Sequence, residues 1–192
     1  MEEKIREMRH KLKKELDRER YEHTIGVMYT AAALAMRHGA DVRKALTAGL
    51  LHDCAKCIPG NQKLKLCREH GLMISAAEEE NPSLLHAKLG AYIAQEKYDV
   101  KDKEVLSAIA SHTTGKPGMS LLDKIIYIAD YIEPGREELP NMPIVRRLAF
   151  EDIDSCLLRM LKDSLDYLET RNMTIDPMTE KTYEHYKEKR KM

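Results

Sequence analysis

The sequence predicts an all-α protein in which a single domain is built as a bundle of helices. Ala, Leu, Met, Glu and Lys, which favour helices, dominate its 192 residues. No stretch shows the sustained alternation of apolar and polar residues that indicates a half-buried strand. The 9 glycines and 7 prolines lie at intervals along the chain, where they mark helix ends.

The first third of the chain predicts three helices. The first extends from Glu2 to Leu16 and carries an apolar stripe on one face. The second extends from Arg18 to His38 and stops before Gly39, a residue type that favours the position after a helix. Asp41 is the predicted N-cap of the third, which ends near Lys56.

The middle of the chain predicts three further helices. One extends from Asn61 to His70 and is closed by Gly71. The next starts at Asn81-Pro82-Ser83 and continues to about Lys97. The third extends from Asp102 to His112.

The last third predicts an apolar helix from Met119 to Glu133 and a long helix from Ile144 to Glu169. A polar tail helix opens at Asp176-Pro177, with Asp176 as N-cap and proline at the first helical position. We therefore divide the chain into an N-terminal helix that packs on the domain, the domain itself, and a C-terminal segment with the tail helix, at 1–17, 18–170 and 171–192.

The composition argues against several classes of protein. Lys plus Arg and Asp plus Glu both number 32, so the chain has no net charge that would attract nucleic acid or anionic lipid. No apolar run approaches the roughly 20 residues of a membrane span, and the N-terminus has no apolar signal-peptide core. The 4 cysteines are too few for a disulfide scaffold. We expect a cytoplasmic protein without membrane or nucleic-acid partners; a homodimer is compatible with the sequence, although no pattern indicates one.

Polar residues interrupt apolar faces on five of the predicted helices. A single buried histidine is more often an ordinary core residue, and a lone buried aspartate can pair with a nearby lysine or arginine. Several such residues that face one interior favour a cation, because buried carboxylates and imidazoles need a compensating partner. A set of two imidazoles and two carboxylates suits iron, manganese, zinc or a similar divalent ion. These residues are His23, His52, Asp53, His86, His112 and Asp130, whereas His10, His38, His70 and His185 are predicted to lie at the surface.

Six phrases of the sequence resemble the YqeK family of the HD-domain phosphohydrolase superfamily. In this superfamily a helical bundle holds metal through the pattern H…HD…D, which corresponds here to His23, His52-Asp53 and Asp130. The resemblance extends from about Arg20 to Thr179 with the phrases in the same order. They are EHTIGV at 22–27, GLLHDCAK at 49–56, HAKLGA at 86–91, HTTGKPGMS at 112–120, DKIIYIADYIEPGR at 123–136 and TIDPMT at 174–179.

The resemblance implies an HD-domain fold and a symmetrical bis(5′-nucleosyl)-tetraphosphatase that cuts diadenosine tetraphosphate into two ADP. It implies that iron, or else manganese or another divalent metal, binds to four residues that are also catalytic: His23, His52, Asp53 and Asp130. It leaves open a second metal at His86 and His112. It implies contact with a dinucleoside polyphosphate or an ADP-like nucleotide at Arg20, His23, Asp53, Lys56, His86, His112, Thr113, Asp130 and Arg136, and at the nucleotide-proximal residues Met173, Thr174, Ile175, Asp176, Pro177 and Met178.

The residue chemistry agrees with this implication. Lys56 follows Asp53 by three residues, so a continuous helix would turn both towards one side. Arg136 comes after a Pro-Gly turn that ends the helix of Asp130, and guanidinium groups bind phosphate oxygens in bidentate fashion. The loop after His112 supplies hydroxyl groups. The hypothesis is that water attacks the second phosphorus from one nucleoside and the other nucleoside diphosphate leaves.

Other interpretations remain open at the level of sequence. Another HD hydrolase would act on deoxynucleoside phosphates or guanosine polyphosphates, and a non-catalytic HD module would sense nucleotides. The spacing Cys54-x-x-Cys57, with Cys67 and His70 nearby, is a weak indication of a zinc or redox site. A di-iron carboxylate bundle is a poor match, because only Glu7 and His10 have the required spacing.

Overall fold

A computed structural model describes residues 2–190, and over these residues it contains helices and no strand. The all-α prediction is therefore confirmed. Met1, Lys191 and Met192 lie outside the described residues, and so do the outer ends of the predicted segments 1–17 and 171–192. The helices are α1 Glu2–Glu15, α2 Arg18–His38, α3 Val42–Leu51, α4 Gly60–Glu69, α5 Ala76–Glu80, a 3₁₀ helix Pro82–Leu85, α6 His86–Tyr98, α7 Lys103–Ser111, α8 Leu121–Ile132, α9 Met142–Glu151, α10 Ile153–Thr170 and α11 Pro177–Lys189.

Helices α2, α3, α7 and α8 form the centre of the bundle. Helix α8 packs against each of the other three, and its Ile125, Ile126 and Ile128 are fully buried. Burial of an isoleucine side chain stabilises the fold by about 1.5–3 kcal/mol. Helices α2 and α3 approach closely at Gly49, where an added Cβ atom would lie 2.9 Å from the Cα atom of Met28. The residues that follow the end of α3 are thereby held against α2.

The N-terminal helix α1 buries the predicted apolar stripe. Met8, Leu12 and Leu16 lie in the main core, and Ile5 packs against it. Helix α1 contacts α2 and α3, and Glu15 near its end accepts a hydrogen bond from Tyr98. Among residues 2–190, no helix combines the length and the apolar character needed to cross a bilayer.

One predicted helix ends earlier than the sequence suggests, and another is divided in two. The helix predicted to reach Lys56 stops at Leu51, because the chain turns repeatedly between 52 and 58. The helix predicted over 144–169 is two helices that meet at Asp152, which has extended backbone angles. The Asp152 carboxylate accepts hydrogen bonds from the backbone and hydroxyl of Ser155 and so caps α10.

Smaller differences concern the region before α6 and two histidines predicted at the surface, His38 and His185, which are half-buried. The short helix α5 was not predicted; Ser75 and Glu78 form a capping box at its start. The predicted helix from Asn81 begins as a 3₁₀ turn and becomes α-helical only at His86. His38 is half-buried rather than exposed, and its Nε2 donates to the carbonyl oxygen of Ala149 at 2.7 Å.

Candidate active site

Three buried histidines follow the ends of helical segments, and their rings are held in the same way. Nδ1 of each ring donates to the carbonyl oxygen three residues earlier, since the last carbonyls of a helix have no partner within it. A carbonyl can only accept, so Nδ1 carries a proton and Nε2 of the neutral ring keeps its lone pair. The Nδ1–O distances are 2.7 Å from His52 to Gly49, 2.6 Å from His86 to Ser83 and 2.7 Å from His112 to Ile109.

His23, on α2, is oriented by a carboxylate instead of a carbonyl. Its Nδ1 lies 3.0 Å from Oε1 of Glu133, which is buried just after α8. The other oxygen of Glu133 accepts the N–H of Gly135 at 2.6 Å. Gly26 leaves room for this carboxylate, because an added Cβ atom would lie 2.3 Å from Oε2 of Glu133. Glu133 was not among the predicted site residues.

The predicted metal ligands meet between α2, α8 and the end of α3. Nε2 of His23 lies 3.0 Å from Oδ1 of Asp130, and Nε2 of His52 lies 3.7 Å from the same oxygen and 3.6 Å from Oδ2 of Asp53. Both Nε2 atoms and Oδ1 of Asp53 are buried and have no hydrogen-bond partner among residues 2–190. Because unpaired buried polar atoms are costly, and nitrogen and carboxylate donors suit divalent ions, this donor set fits a metal ion.

Asp53 connects this set to the other two histidines. Its Oδ1 lies 3.2 Å from Nε2 of His86 and 3.5 Å from Nε2 of His112. Donor atoms of His52, Asp53 and His112 all lie within 4.8 Å of one another, as do those of His23, His52 and Asp130. The two candidate sets of metal ligands share His52.

Both aspartates are ionised in this setting. Burial opposes ionisation of Asp53, but the positive charge that His52 carries when its ring is protonated, together with the polar contact with His112, outweighs burial and holds the pKa of Asp53 well below the usual range. Burial also opposes ionisation of Asp130, and contacts with His23 and His52 again hold its pKa well below the usual range. Two carboxylates are therefore charged and able to bind a cation at neutral pH.

Two arginines lie against the carboxylates of the candidate ligands Asp53 and Asp130. Nη1 of Arg20 is 2.9 Å from Oδ2 of Asp53. Nη2 of Arg136 is 2.5 Å from Oδ1 of Asp130, and its Nε donates to the backbone carbonyl of Asp130 at 2.8 Å. Both guanidinium groups are partly exposed, so they stand between the buried ligands and solvent. This position suits the binding of phosphate oxygens.

Lys56 and Thr113 reach the other side of the site. Although α3 has ended, Nζ of Lys56 lies 3.3 Å from Nε2 of His86, and Oγ1 of Thr113 lies 3.2 Å from the same atom. The buried Lys63 donates to the carbonyl of Lys56 at 3.0 Å and holds this turn in place. Burial lowers the pKa of His86 to about 4, so its ring is neutral at pH 7.

The C-terminal segment 173–178 lies beside the site and contributes to a cavity of about 690 Å³, which we call the tail cavity. The lining also includes Thr113, so the tail cavity adjoins the histidine cluster. Met173, Thr174 and Asp176 line the tail cavity, Asp176 and Met178 line a smaller neighbouring cavity of about 360 Å³, and Ile175 and Pro177 line neither.

The two thiols of the C-x-x-C spacing have different surroundings. Cys54 is buried and donates to the carbonyl of Gly90 at 3.4 Å, and burial raises its pKa. Cys57 is exposed and donates to Asp17 at 3.4 Å. Among residues 2–190, the groups of three or more potential metal ligands contain no cysteine.

Comparisons with known proteins place this site in a family. Residues 20–135 match the HD domain family. The chain is 42% identical over 172 residues to "Bis(5'-nucleosyl)-tetraphosphatase, symmetrical" of Bacillus subtilis, which covers 90% of this chain and 91% of the relative. The protein of the same name from Staphylococcus aureus is 33% identical over 168 residues, with 85% of this chain and 84% of the relative covered.

A solved structure has the same architecture. The crystal structure of a predicted HD superfamily hydrolase involved in NAD metabolism, from Clostridium acetobutylicum, superposes with a TM-score of 0.92 at 37% identity. The match covers 95% of this chain and 96% of that one. The similarity therefore extends beyond the residues of the site to the whole bundle.

Proposed function

The chain belongs to the HD domain family, and on this premise we propose that it is a symmetrical bis(5′-nucleosyl)-tetraphosphatase. It hydrolyses diadenosine tetraphosphate, and related dinucleoside polyphosphates, to two nucleoside diphosphates. The observation that carries this proposal is the buried cluster of four imidazoles and two carboxylates bordered by Arg20 and Arg136. A cationic rim over a metal-binding interior fits an anhydride of phosphoric acid.

His23, His52, Asp53 and Asp130 are the residues that would hold the metal, for which we propose iron, with manganese as the first alternative. A divalent cation bound there lowers the pKa of water and polarises a phosphoryl oxygen. The contribution of the protein is to present Nε2 of each ring, through its Nδ1 hydrogen bond, and to keep both carboxylates ionised.

The reaction breaks the central anhydride of the substrate. Water attacks the second phosphorus from one nucleoside, the bond from that phosphorus to the bridging oxygen breaks, and the other nucleoside diphosphate leaves with the oxygen. Arg20, Lys56 and Arg136 stabilise the charge on the phosphoryl oxygens, and Thr113 donates a hydrogen bond to them. Lys56 and Thr113 both contact Nε2 of His86. The same nitrogen lies 3.1 Å from Nε2 of His112.

The nucleotide-proximal segment 173–178 and the tail cavity hold one nucleoside of the substrate. Tyr127, Tyr131 and Tyr167 line this cavity, and aromatic rings can stack on a base. The cytoplasmic location and the homodimer stay predictions.

Product analysis tests the proposal. Purified protein is incubated with diadenosine tetraphosphate and added iron or manganese, and the nucleotides are separated by chromatography. Two ADP per substrate are expected. ATP with AMP, or nucleoside with inorganic phosphate, would indicate a different HD hydrolase, and tight binding without turnover would indicate a sensing module.

A further inference from the structure

The cluster of metal ligands has cavities on two sides. The tail cavity lies on the side of Thr113, and a second cavity of about 770 Å³ lies on the side of Arg20, His23 and Arg136. We call the second one the α2 cavity, because the first turns of α2 form one of its walls. Tyr131 and Leu139 line both cavities and so mark the boundary between them.

We propose that the α2 cavity is the subsite for the second nucleoside of the substrate. This inference rests on the proposed function. A symmetrical cut requires the central anhydride to lie at the reactive centre, so one nucleoside diphosphate must extend to each side. Each cavity falls within the range of roughly 300–1,000 Å³ that holds one small ligand.

The position of the arginines supports this arrangement. Arg20 and Arg136 line the α2 cavity and also contact the carboxylates of Asp53 and Asp130. A phosphate chain that leaves the cluster on this side therefore passes between two guanidinium groups before it reaches the cavity. Thr113, which lines the tail cavity, provides a polar group on the other side, and Nζ of Lys56 contacts the same nitrogen of His86 as Thr113 does.

The lining of the α2 cavity suits a nucleoside better than further phosphates. Glu19 and Glu22 from α2 and Glu137 from the loop after α8 form an acidic outer rim. Carboxylates repel phosphate but accept hydrogen bonds from ribose hydroxyl groups and from a base amino group. Tyr131 and the exposed Leu139 supply apolar surface for the base. The guanidinium groups of Arg20 and Arg136 thus lie where the cavity meets the cluster, and the exposed carboxylates lie at its rim, as expected if the phosphates lie inside and a nucleoside outside.

Substitutions that fill the α2 cavity from opposite walls test the inference. Glu22→Trp and Glu137→Trp place an indole in the outer part of the cavity, and the surface ion pair of Glu22 with Arg18 that is lost contributes little to stability. Met36→Trp is the matched control, because Met36 is exposed on the same helix and does not line the cavity.

Two substrates separate the subsites. Diadenosine tetraphosphate needs both nucleoside positions, whereas adenosine 5′-tetraphosphate needs only one and releases ADP and pyrophosphate. Either tryptophan variant should lose about tenfold or more in kcat/KM for the dinucleotide and stay within about twofold for the mononucleotide. Equal losses for both substrates, or no loss for either, would overturn the inference.

A binding experiment decides the question independently of turnover. Calorimetric titration with ADP should give two molecules bound per chain in the unaltered protein and in Met36→Trp, and one in Glu22→Trp. A single ADP per chain in the unaltered protein would contradict the second subsite. If the unaltered protein releases no ADP from either tetraphosphate, the proposed function fails, while the number of bound ADP molecules still decides the subsite.

Discussion

Nδ1 of His23 and Oε1 of Glu133 lie 3.0 Å apart, and both side chains are almost completely buried. An ionised carboxylate can only accept, so this contact fixes the proton on Nδ1 and turns Nε2 towards Asp130. The same carboxylate accepts the N–H of Gly135, one residue before Arg136. Glu133 therefore links His23, a proposed metal ligand, to the turn that positions Arg136, the arginine proposed to bind phosphate.

Replacement of Glu133 should weaken metal binding without removing a ligand. In Glu133→Ala the His23 ring loses its orienting partner, and we expect metal affinity to fall by about 10–100-fold. Glu133→Gln keeps an acceptor oxygen and should recover part of the affinity. Titration of metal-free protein with a divalent ion measures both variants against Glu138→Gln, an exposed neighbour. Unchanged affinity in Glu133→Ala would show that the contact has no orienting role.

Loss of Asp53 should abolish metal binding and hydrolysis together. Its two oxygens face different histidines, with Oδ1 at 3.2 Å from His86 and Oδ2 at 3.6 Å from His52, so no neighbouring side chain can replace it. We expect Asp53→Ala to lose activity by on the order of 10³-fold or more. Elemental analysis and the rate of ADP release are measured on one preparation. An active variant that contains no metal would contradict the assignment.

Replacement of Arg136 should separate substrate binding from metal binding. Its guanidinium is partly exposed and contacts Asp130 without being a ligand. Arg136→Ala should retain its metal while kcat/KM falls by roughly 10²-fold, and Arg136→Lys should recover only part of this loss because lysine cannot bind phosphate in bidentate fashion. Arg147→Ala, on the exposed side of α9, is the control. Metal loss in Arg136→Ala equal to that in Asp53→Ala would assign Arg136 a structural role instead.

The proposed ligands carry a signal in the sequence, whereas the residue that supports one of them does not. His52-Asp53 and Asp130 could be recognised because polar residues interrupt apolar helices there. Glu133 carries no such signal, since an acidic residue next to Pro134 looks like an ordinary helix end, and only the fold brings it to His23. The convergence of residues more than a hundred positions apart likewise depends on long-range packing that periodicity does not encode.

Helix boundaries show the same difference between local and long-range information. The apolar pattern continues in phase across Asp152, so the sequence predicted one helix where the structure has two. Asp152 ends α9 with its backbone and caps α10 with its side chain, and both roles are local. An aspartate inside a helical pattern fits either an exposed helix position or a cap, and the sequence does not distinguish them.

The cap at Asp152 predicts a pH dependence of stability. Hydrogen bonds from the side chain and backbone of Ser155 lower the pKa of Asp152. Since the pKa is lower in the folded state, the contribution is fully present above the unfolded value of about 3.9 and is lost as the pH falls through the folded value. Asp152→Ala should reduce the free energy of unfolding by about 1 kcal/mol at pH 7 and by less at pH 3. Denaturant unfolding at both pH values checks this, and an equal loss at both would rule out a charged cap.

Gly49 connects the packing of the bundle to the geometry of the site. An added Cβ atom would lie 2.9 Å from the Cα of Met28, a backbone atom that cannot move aside, so Gly49→Ala must push α3 away from α2. Alanine favours a helix over glycine by about 1 kcal/mol, but overpacking costs about 1–3 kcal/mol, so we expect a net loss of stability. Nδ1 of His52 donates a hydrogen bond to the carbonyl of Gly49, so its ring should move with the helix, and metal affinity should fall as well.

Thermal unfolding measures the loss of stability in Gly49→Ala, and metal titration measures the loss of affinity. Gly39→Ala is the control, because a Cβ atom there meets no neighbour within 4 Å, and its positive φ costs stability without moving the site. If Gly49→Ala were as stable as the unaltered protein and bound metal equally well, the close approach of α2 and α3 would not be what positions His52.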